Sequence, residues 1–256
     1  MIRYIPADPA GNLTAIVLSS VAAQDRAKIA AEMMARCPEG FEQVGFADET
    51  SLTGDLPTLC MMGGEFCGNA TRAFACYAAK VRGRGETRLA ISVSGAREPV
   101  PVAVDLRQNR AYAQMPLPYA LEWISVNKQK IPLVRMEGID HALLLDAAPS
   151  PEAAERVLAA MPKQDARGVL FVQGGKMTPL VEVAATGTRV WESSCGSGTV
   201  ALAWYLAQNL ADGMHAFAFD EPGGRLEARV AMRAGCAAQI EMGGAVKLGE
   251  EAEIEL

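Results

Sequence analysis

Residues 67–79 read Cys67-Gly68-Asn69-Ala70-Thr71-Arg72-Ala73-Phe74-Ala75-Cys76-Tyr77-Ala78-Ala79. At an offset of 128 residues (195 − 67), the chain reads Cys195-Gly196-Ser197-Gly198-Thr199-Val200-Ala201-Leu202-Ala203-Trp204-Tyr205-Leu206-Ala207. Seven of the thirteen aligned positions are identical, and they include the Cys-Gly pair, a Thr and a Tyr. Self-similarity at a fixed offset is the signature of an internal repeat. The sequence therefore predicts a chain built from two related halves.

The pattern of apolar residues around the two stretches supports this interpretation. Strand-like runs precede helix-like patterns in both halves: 13–18 before about 22–36, and 142–145 before 151–161. Helices starting at the Cys-Gly pairs are predicted over about 67–81 and 195–210. Three strand-like runs follow each of them: 88–93, 100–104 and 111–114, then 216–219, 226–232 and 237–242. Two such α+β halves, related by a pseudo-twofold, would place equivalent features face to face across a cleft.

The two prolines at 116 and 118 mark the predicted junction between the halves. We expect an N-terminal lobe of residues 1–117 and a C-terminal lobe of residues 118–247. A last strand near 253–256 is predicted to return to the first lobe, so that lobe also includes about 248–256.

Composition excludes several classes of protein. The 256 residues are half apolar and carry a formal charge of −6, which disfavours nucleic-acid binding. The N-terminus lacks a signal-peptide pattern, and no apolar run approaches the roughly 20 residues of a membrane span. We therefore expect a soluble, cytoplasmic protein with no membrane partner. Six cysteines without a Cys-x-x-Cys pair, and only two histidines, predict no metal site.

The two cysteines of the repeat differ from the other four because each opens a predicted helix. A helix start carries unpaired N–H groups and partial positive charge, which lower a thiol pKa and hold anions such as a carboxylate. One sulfur on each face of a substrate Cα would allow one thiolate to remove the α-proton while the opposite thiol delivers another. Cys67 and Cys195 are thus predicted to be catalytic in a stereochemical inversion that needs no cofactor, pyridoxal phosphate included.

Five motifs in order resemble those of the diaminopimelate epimerase superfamily. They are Gly11-Asn12, Glu42-Gln43-Val44, Cys67-Gly68-Asn69 with Arg72, Cys195-Gly196-Ser197-Gly198, and Pro222-Gly223-Gly224-Arg225-Leu226. The resemblance implies two pseudo-symmetric lobes, each a curved sheet wrapped around a central helix, and a homodimer. It also implies an amino-acid substrate, with substrate-binding residues Asn12, Gln43, Gly68, Asn69, Gly196 and Ser197.

Departures from that superfamily narrow the expected substrate. Diaminopimelate epimerases carry a Glu-Arg pair before the second cysteine, and neither residue stands at its place in 186–194, which begins at Thr186. Their Gly-Asn-Pro-His is here Gly138-Ile139-Asp140-His141, and Gly63 stands where they carry a Glu. Residues 65–71 and 191–199 instead resemble the histidine racemases that feed opine-type metallophore synthesis. This implies a substrate with one α-amino-acid head, histidine first and diaminopimelate as the alternative.

Several assignments stay open at this stage. Glu65 and Glu192 are candidate partners of the substrate amino group or imidazole, or else solvated loop charges. Trp191 is either a stacking platform or part of the core, while Arg189, His141 and His215 are expected to be structural. A proline-racemase-like enzyme, an isomerase of the phenazine-biosynthesis type and a non-catalytic amino-acid-binding protein are the alternative functions. Oxidation is further predicted to join Cys67 to Cys195.

Overall fold

The computed structural model describes residues 1–184 and 187–256. Thr186, the first residue of the 186–194 stretch that differs from the diaminopimelate epimerases, therefore lies outside the described residues. The chain separates into two compact units. The first unit consists of Met1–Gln114 and Gly243–Leu256, and the second consists of Met115–Met242.

Four helices and eighteen strands make up the described chain. The helices are α1 (Arg26–Arg36), α2 (Gly68–Val81), α3 (Pro151–Ala160) and α4 (Gly196–Ala207). The strands are β1 (Ile2–Asp8), β2 (Thr14–Val17), β3 (Gln43–Ala47), β4 (Thr58–Met61), β5 (Glu86–Val93), β6 (Val100–Asp105), β7 (Arg110–Gln114), β8 (Ala120–Val126), β9 (Gln129–Arg135), β10 (Ile139–Leu145), β11 (Ala166–Gln173), β12 (Lys176–Val183), β13 (Thr188–Trp191), β14 (Gly213–Glu221), β15 (Gly224–Arg233), β16 (Cys236–Ala245), β17 (Lys247–Leu248) and β18 (Ala252–Ile254). Two 3-10 turns lie at Ala23–Asp25 and Glu49–Ser51.

In the first unit β1 pairs antiparallel with β2, and α1 connects β2 to the parallel strand β3. Strand β4 runs antiparallel to β3, and α2 connects it to the parallel strand β5. Strands β5, β6 and β7 then form an antiparallel meander. The C-terminal strand β18 pairs with β1, with Ile254 opposite Ile2.

The second unit repeats this order. Strand β9 pairs antiparallel with β10, and α3 connects β10 to the parallel strand β11. Strand β12 runs antiparallel to β11, and α4 lies between β12 and its parallel neighbour β14. Strand β15 follows antiparallel to β14. The same succession of hairpin, helical crossover, antiparallel step and second helical crossover thus occurs in both units.

Each Cys-Gly helix is buried because its sequence offers small and apolar side chains on almost every face. In α2 the alanines at 70, 73, 75, 78 and 79 and Phe74 are all fully buried against β2, β5, β6, β7 and β17. In α4, residues 200–203 are fully buried, and the helix packs against β10, β14 and β15. A helix that is apolar all round forms a core element, and alanines let the strands approach closely. Of the helices described, none combines the length and hydropathy that crossing a bilayer requires.

Candidate active site

Cys67 is the N-cap residue of α2. Its backbone is extended (φ −128°, ψ 112°), and its sulfur accepts a bond from the Ala70 N–H at 3.5 Å. Its carbonyl oxygen accepts bonds from the Thr71 N–H at 3.0 Å and from the Thr71 hydroxyl at 2.7 Å. The cysteine thus takes the position at which Ser, Thr, Asp or Asn usually satisfies an orphan helix N–H.

The loop before Cys67 is held by a tight approach at Gly95. Gly95 has a φ of +74°, and a Cβ there would lie 2.2 Å from the Phe66 backbone nitrogen. The neighbouring Ser94 hydroxyl donates to the Glu65 carbonyl at 2.9 Å and accepts from the Met61 N–H at 2.8 Å. Since only glycine fits both the conformation and the space, Gly95 fixes the entry of the chain into Cys67.

Three residues singled out in the sequence, Asn12, Gln43 and Asn69, form a hydrogen-bonded network next to the first sulfur. The Cys67 thiol donates to Gln43 Oε1 at 3.1 Å. Gln43 Nε2 donates to Asn12 Oδ1 at 2.6 Å and to the Thr14 hydroxyl at 2.7 Å, and Asn69 Nδ2 lies 3.4 Å from the same Asn12 oxygen. Strands β2 and β3 run parallel with Thr14 opposite Gln43, which explains how residues 29 positions apart share one site.

Charged residues close this network at both ends. Asn12 Nδ2 donates to Glu42 Oε2 at 2.9 Å, on the exposed side. On the buried side Arg72, which is 0% exposed, donates to Asn69 Oδ1 at 2.8 Å. The Arg72 guanidinium also donates to the carbonyl oxygens of residues 9, 111 and 244, at 3.2, 3.4 and 3.3 Å. Arg72 therefore connects the start of α2 to three other segments of the first unit.

Cys195 occupies the equivalent N-cap of α4 with nearly the same backbone conformation (φ −123°, ψ 102°). Its own N–H donates to Glu221 Oε2 at 2.6 Å, and the Thr199 hydroxyl donates to Glu221 Oε1 at 2.6 Å. Glu221 is buried and immediately precedes the Pro-Gly-Gly turn, where the Gly223 N–H donates to the Ser193 carbonyl at 2.7 Å. The turn thus brings a carboxylate to the start of α4.

Ser197 and His141 form a second chain of contacts at Cys195. The Cys195 sulfur lies 3.5 Å from the Ser197 hydroxyl, and that hydroxyl lies 2.9 Å from His141 Nε2. The imidazole is fully buried, and within the described parts of the chain its Nδ1 has no hydrogen-bond partner. A Cβ at Gly168 would lie 2.1 Å from that Nδ1, so the absence of a side chain at Gly168 makes room for the ring.

The Gly-x-Gly that follows Cys195 has a steric basis. A Cβ at Gly198 would lie 2.9 Å from Leu170 Cδ2 and 3.3 Å from the Cys195 sulfur. The equivalent residue in the first unit is Ala70, which donates its N–H to the Cys67 sulfur. The two thiols thus share a backbone position but differ in the side chains and charges around them.

The pKa values of the two thiols are raised, not lowered. Burial raises the pKa of Cys67, and the N–H groups of Ala70 and Asn69 oppose that effect, as a hydrogen bond donated by the Gln43 amide would. Burial raises the pKa of Cys195 well above its ordinary value, and the carboxylates of Glu192 and Glu221 raise it further. The sequence-based expectation that the helix starts make these thiols ionise readily was therefore wrong, because desolvation of the charged form outweighs the helix dipole.

The remaining candidates fall into different environments. Glu65 is exposed, yet its charge adds to the raised pKa of Cys67, whereas Glu192 is half-buried. Trp191 packs against Phe171 with ring centroids 5.7 Å apart and stays 40% exposed. Arg189 pairs with Glu182 at 2.6 Å on strand β13, as expected of a surface charge. Gly68 and Gly196 are the first residues of α2 and α4.

Sequence reasoning did not single out Thr14 or Glu221, and it assigned His141 to a structural role only. Glu221 adjoins the Pro-Gly-Gly motif, so its position next to a recognised turn was the available signal. For His141 the available signal was its match to the last residue of the superfamily's Gly-Asn-Pro-His. The space at Gly168 was not visible in the sequence, because it arises from the parallel pairing of β10 with β11.

Solved structures define the class of the fold. A putative phenazine biosynthesis PhzC/PhzF protein from Clostridium difficile matches with a TM-score of 0.69 at 13% identity, over 100% of both chains. A probable proline racemase from Agrobacterium radiobacter K84 matches with a TM-score of 0.68 at 14% identity, over 100% of this chain and 93% of the other. The protein therefore has the sheet-rich α+β fold that these proteins share.

Sequence comparison identifies the family. The family model for the histidine racemase CntK N-terminal domain matches residues 1–254. A histidine racemase of Fusobacterium nucleatum subsp. nucleatum is 32% identical over 222 residues, which cover 80% of this chain and 81% of that protein. The chain belongs to the histidine racemase family, and it is thus a member of a family of isomerases.

Proposed function

We propose that this protein is a cofactor-independent histidine racemase in which Cys67 and Cys195 exchange protons with the two faces of the substrate Cα. The observation that carries the proposal is the repeated placement of a thiol at a helix N-cap. The two cysteines have the same backbone conformation within about 10° and follow the same succession of strands and helices. A duplication alone would also copy a structural cysteine, so the discriminating feature is the N-cap position, where backbone N–H groups also hold an anion such as a substrate carboxylate.

The proposed reaction balances with two thiols and no other acid or base. One cysteine, as thiolate, takes the α-proton, and the electron pair of the C–H bond passes to Cα and the adjacent carboxylate. The other cysteine, as thiol, gives its proton to the opposite face of Cα and becomes the thiolate. After one inversion the two sulfurs have exchanged protonation states, so the enzyme is ready for the opposite enantiomer.

The raised thiol pKa values fit this chemistry. An α-proton is a weak acid, and a thiolate whose conjugate acid has a raised pKa is a stronger base toward it. The cost is a smaller resting fraction of thiolate. A substrate ammonium group next to a buried sulfur would offset that cost, since an opposite charge stabilises the ionised form.

Histidine is the proposed substrate because the related proteins named above carry that activity in their names and because the distal Glu-Arg pair of diaminopimelate epimerases is missing from 186–194. Residues Asn12, Gln43, Asn69 and the Gly68 and Gly196-Ser197 segments are proposed to line the site for the amino-acid head. Glu65 and Glu192 are proposed contacts to the amino group or imidazole. A diaminopimelate-epimerase-like arrangement of two lobes and a homodimer are proposed on the resemblance alone.

The experiment is deuterium exchange in D2O with L-histidine and, separately, LL-diaminopimelate, using reduced protein without added cofactor. Proton NMR follows the loss of the Cα–H signal, and chiral chromatography follows the enantiomer. Cys67→Ser and Cys195→Ser are the test variants, and Cys236→Ser is the matched control because Cys236 is exposed and lies at neither N-cap.

Inversion of histidine that is lost in both test variants and kept in Cys236→Ser supports the proposal. Inversion of diaminopimelate alone would overturn the substrate assignment, while the two-thiol mechanism would still stand. Binding of histidine without exchange, unaffected by either substitution, would identify a non-catalytic amino-acid-binding protein. Activity that survives in either single variant would overturn the two-thiol mechanism.

A further inference from the structure

The side-chain amides next to Cys67 have a fixed orientation, meaning that each partner determines which side the amide oxygen and nitrogen face. The Glu42 carboxylate only accepts hydrogen bonds, so the Asn12 atom at 2.9 Å from it is the amide nitrogen. Asn12 therefore presents its oxygen to the other side, where Gln43 lies at 2.6 Å. Gln43 must meet that oxygen with its own amide nitrogen.

Two further contacts impose the same direction. The Arg72 guanidinium only donates, so the Asn69 atom at 2.8 Å from it is Oδ1, and Asn69 turns its nitrogen toward Asn12 Oδ1. The Thr14 hydroxyl donates to the Asn12 backbone carbonyl at 2.9 Å, and its oxygen therefore accepts from Gln43 Nε2. Asn12 Oδ1 and the Thr14 hydroxyl oxygen are thus both acceptors, and the nitrogen of Gln43 is committed to them.

The oxygen of Gln43 is consequently the atom that faces the sulfur, at 3.1 Å. An amide oxygen accepts a hydrogen bond from a thiol but repels a thiolate. We propose that Gln43 is a positioning residue that stabilises the protonated thiol of Cys67, and that Glu42 and Arg72 impose this role by fixing the direction of the amides between them. The proposal rests on the proposed function for its catalytic meaning, and it assigns to Gln43 a role other than binding the substrate.

The consequence concerns the strength of Cys67 as a base. When Cys67 gives its proton to Cα, the S–H bond breaks and the electron pair remains on sulfur, facing an amide oxygen. That thiolate then takes an α-proton more readily than one that only accepts hydrogen bonds. The N–H of Ala70 acts in the opposite direction, and the charge of Glu65 raises the pKa of the thiol. A Gln43 amide that donated to the sulfur would lower this pKa, but the oxygen of Gln43 is the atom that faces the thiol.

The test is a titration of Cys67 by the ultraviolet absorbance of its thiolate, taken as the difference between each variant and the same variant carrying Cys67→Ser. All measurements of this test are made in a Thr14→Val background, which removes one of the two acceptors that hold the Gln43 nitrogen and leaves only the long 3.4 Å contact of Asn69 in favour of the original orientation. In that background Glu42→Gln keeps the side-chain shape but donates as well as accepts, so Asn12 and Gln43 can reverse and present an N–H to the sulfur. We expect the pKa of Cys67 to fall by about one pH unit, which is roughly tenfold more thiolate below the titration midpoint. Glu65→Gln is the control for simple loss of a nearby charge.

A double-mutant cycle separates the effect of reversing the amide orientation from the effect of losing a nearby negative charge. With Gln43→Leu in place there is no amide to reverse, so Glu42→Gln is expected to leave the titration unchanged, whereas Glu65→Gln should act equally on both backgrounds. If Glu42→Gln leaves the titration unchanged while Gln43 is present and Thr14 is Val, or lowers it equally with and without Gln43→Leu, the proposal is overturned.

If Gln43→Leu fails to fold, the infrared S–H stretching band of Cys67 replaces the cycle. The band is expected to shift toward that of a thiol with no acceptor in Glu42→Gln and to stay in place in Glu65→Gln. An unshifted band in Glu42→Gln would contradict the inference. No substrate is used in these measurements, so a failed racemase assay and a failed titration are separate results.

Discussion

The imidazole of His141 lies 2.9 Å from the hydroxyl of Ser197, which in turn lies 3.5 Å from the sulfur of Cys195. Burial lowers the pKa of His141 to about 3, so the ring is neutral at neutral pH. A neutral ring that cannot take up a proton acts on Cys195 only by orienting the Ser197 hydroxyl. The hydroxyl is then available to the sulfur in both of its protonation states.

Removal of the Ser197 hydroxyl should make Cys195 harder to ionise, because that hydroxyl lowers the pKa of the thiol against the effects of burial and the nearby carboxylates. We expect Ser197→Ala to reduce kcat/KM by roughly three- to tenfold, the worth of one ordinary hydrogen bond. The alkaline shift should appear in the pH profile of kcat/KM. Ser197→Thr, which keeps the hydroxyl, should restore the profile, and an unshifted profile in Ser197→Ala would contradict this role.

His141 should also make stability depend on pH in a defined window. The unfolded chain binds a proton on this histidine near its ordinary pKa of about 6.5, whereas the folded chain does so only near 3. Between those values the unfolded state holds more protons, so the free energy of unfolding falls as the pH falls, by at most about 1.4 kcal/mol per pH unit.

Urea titrations of the wild type and of His141→Gln test this linkage. They are made at about pH 5, 6 and 7, which lie on both sides of the ordinary histidine pKa. The wild type should lose stability on acidification, and the variant should be less stable at pH 7 but lose less between pH 7 and 5. Since the chain has only one other histidine, the difference between the two slopes isolates His141. Parallel slopes would mean that the folded protein protonates this ring freely.

The space at Gly168 should be specific to the imidazole. A Cβ at this position would lie 2.1 Å from His141 Nδ1, so Gly168→Ala should destabilise the fold by about 1–3 kcal/mol, as overpacking usually does. In the His141→Ala background the same substitution should cost much less, because the ring it would meet is gone. Equal costs on both backgrounds, measured by denaturant unfolding, would place the strain elsewhere.

The sequence predicts the fold better than it predicts the environment of the thiols. Helices α2 and α4, the first crossover helices and the meander strands were predicted from periodicity within a few residues, because amphipathic and apolar patterns are local properties. The strands that were not assigned individually are β1, β3, β4, β8, β9, β11, β12, β13 and β17. The meeting of Asn12, Gln43 and Asn69 around Cys67 was expected only from a resemblance.

Properties that depend on burial could not be obtained from the sequence. The direction of the thiol pKa shifts was wrong because the helix start is visible in the sequence, whereas desolvation and the approach of Glu221 exist only in the folded chain. His141 shows the same limit, since its buried state is set by the pairing of β10 with β11. Local charge patterns predict which residues start a helix but not how much water remains beside them.

Glu221 should set the acidity of Cys195 through its charge rather than through its hydrogen bonds. In Glu221→Gln the amide oxygen still accepts the Cys195 N–H, while the amide nitrogen meets the Thr199 hydroxyl as a donor. The start of α4 is thus retained, but a buried negative charge next to the sulfur is lost. We expect the pKa of Cys195 to fall, and the thiolate fraction at neutral pH to rise by roughly tenfold for each pH unit of that shift.

The measurement is the ultraviolet thiolate titration of Glu221→Gln, with the same variant carrying Cys195→Ser subtracted. Glu155→Gln is the control, because it removes an equal charge from an exposed helix position of the same unit. Glu192→Gln should move the titration in the same direction as Glu221→Gln, since both carboxylates raise the pKa of this thiol. A less basic Cys195 thiolate should also take the α-proton more slowly, so the inversion that uses Cys195 as the base should lose kcat while its thiolate becomes more abundant. If Glu221→Gln leaves the titration where it is in the wild type, the carboxylate acts only as the cap of α4.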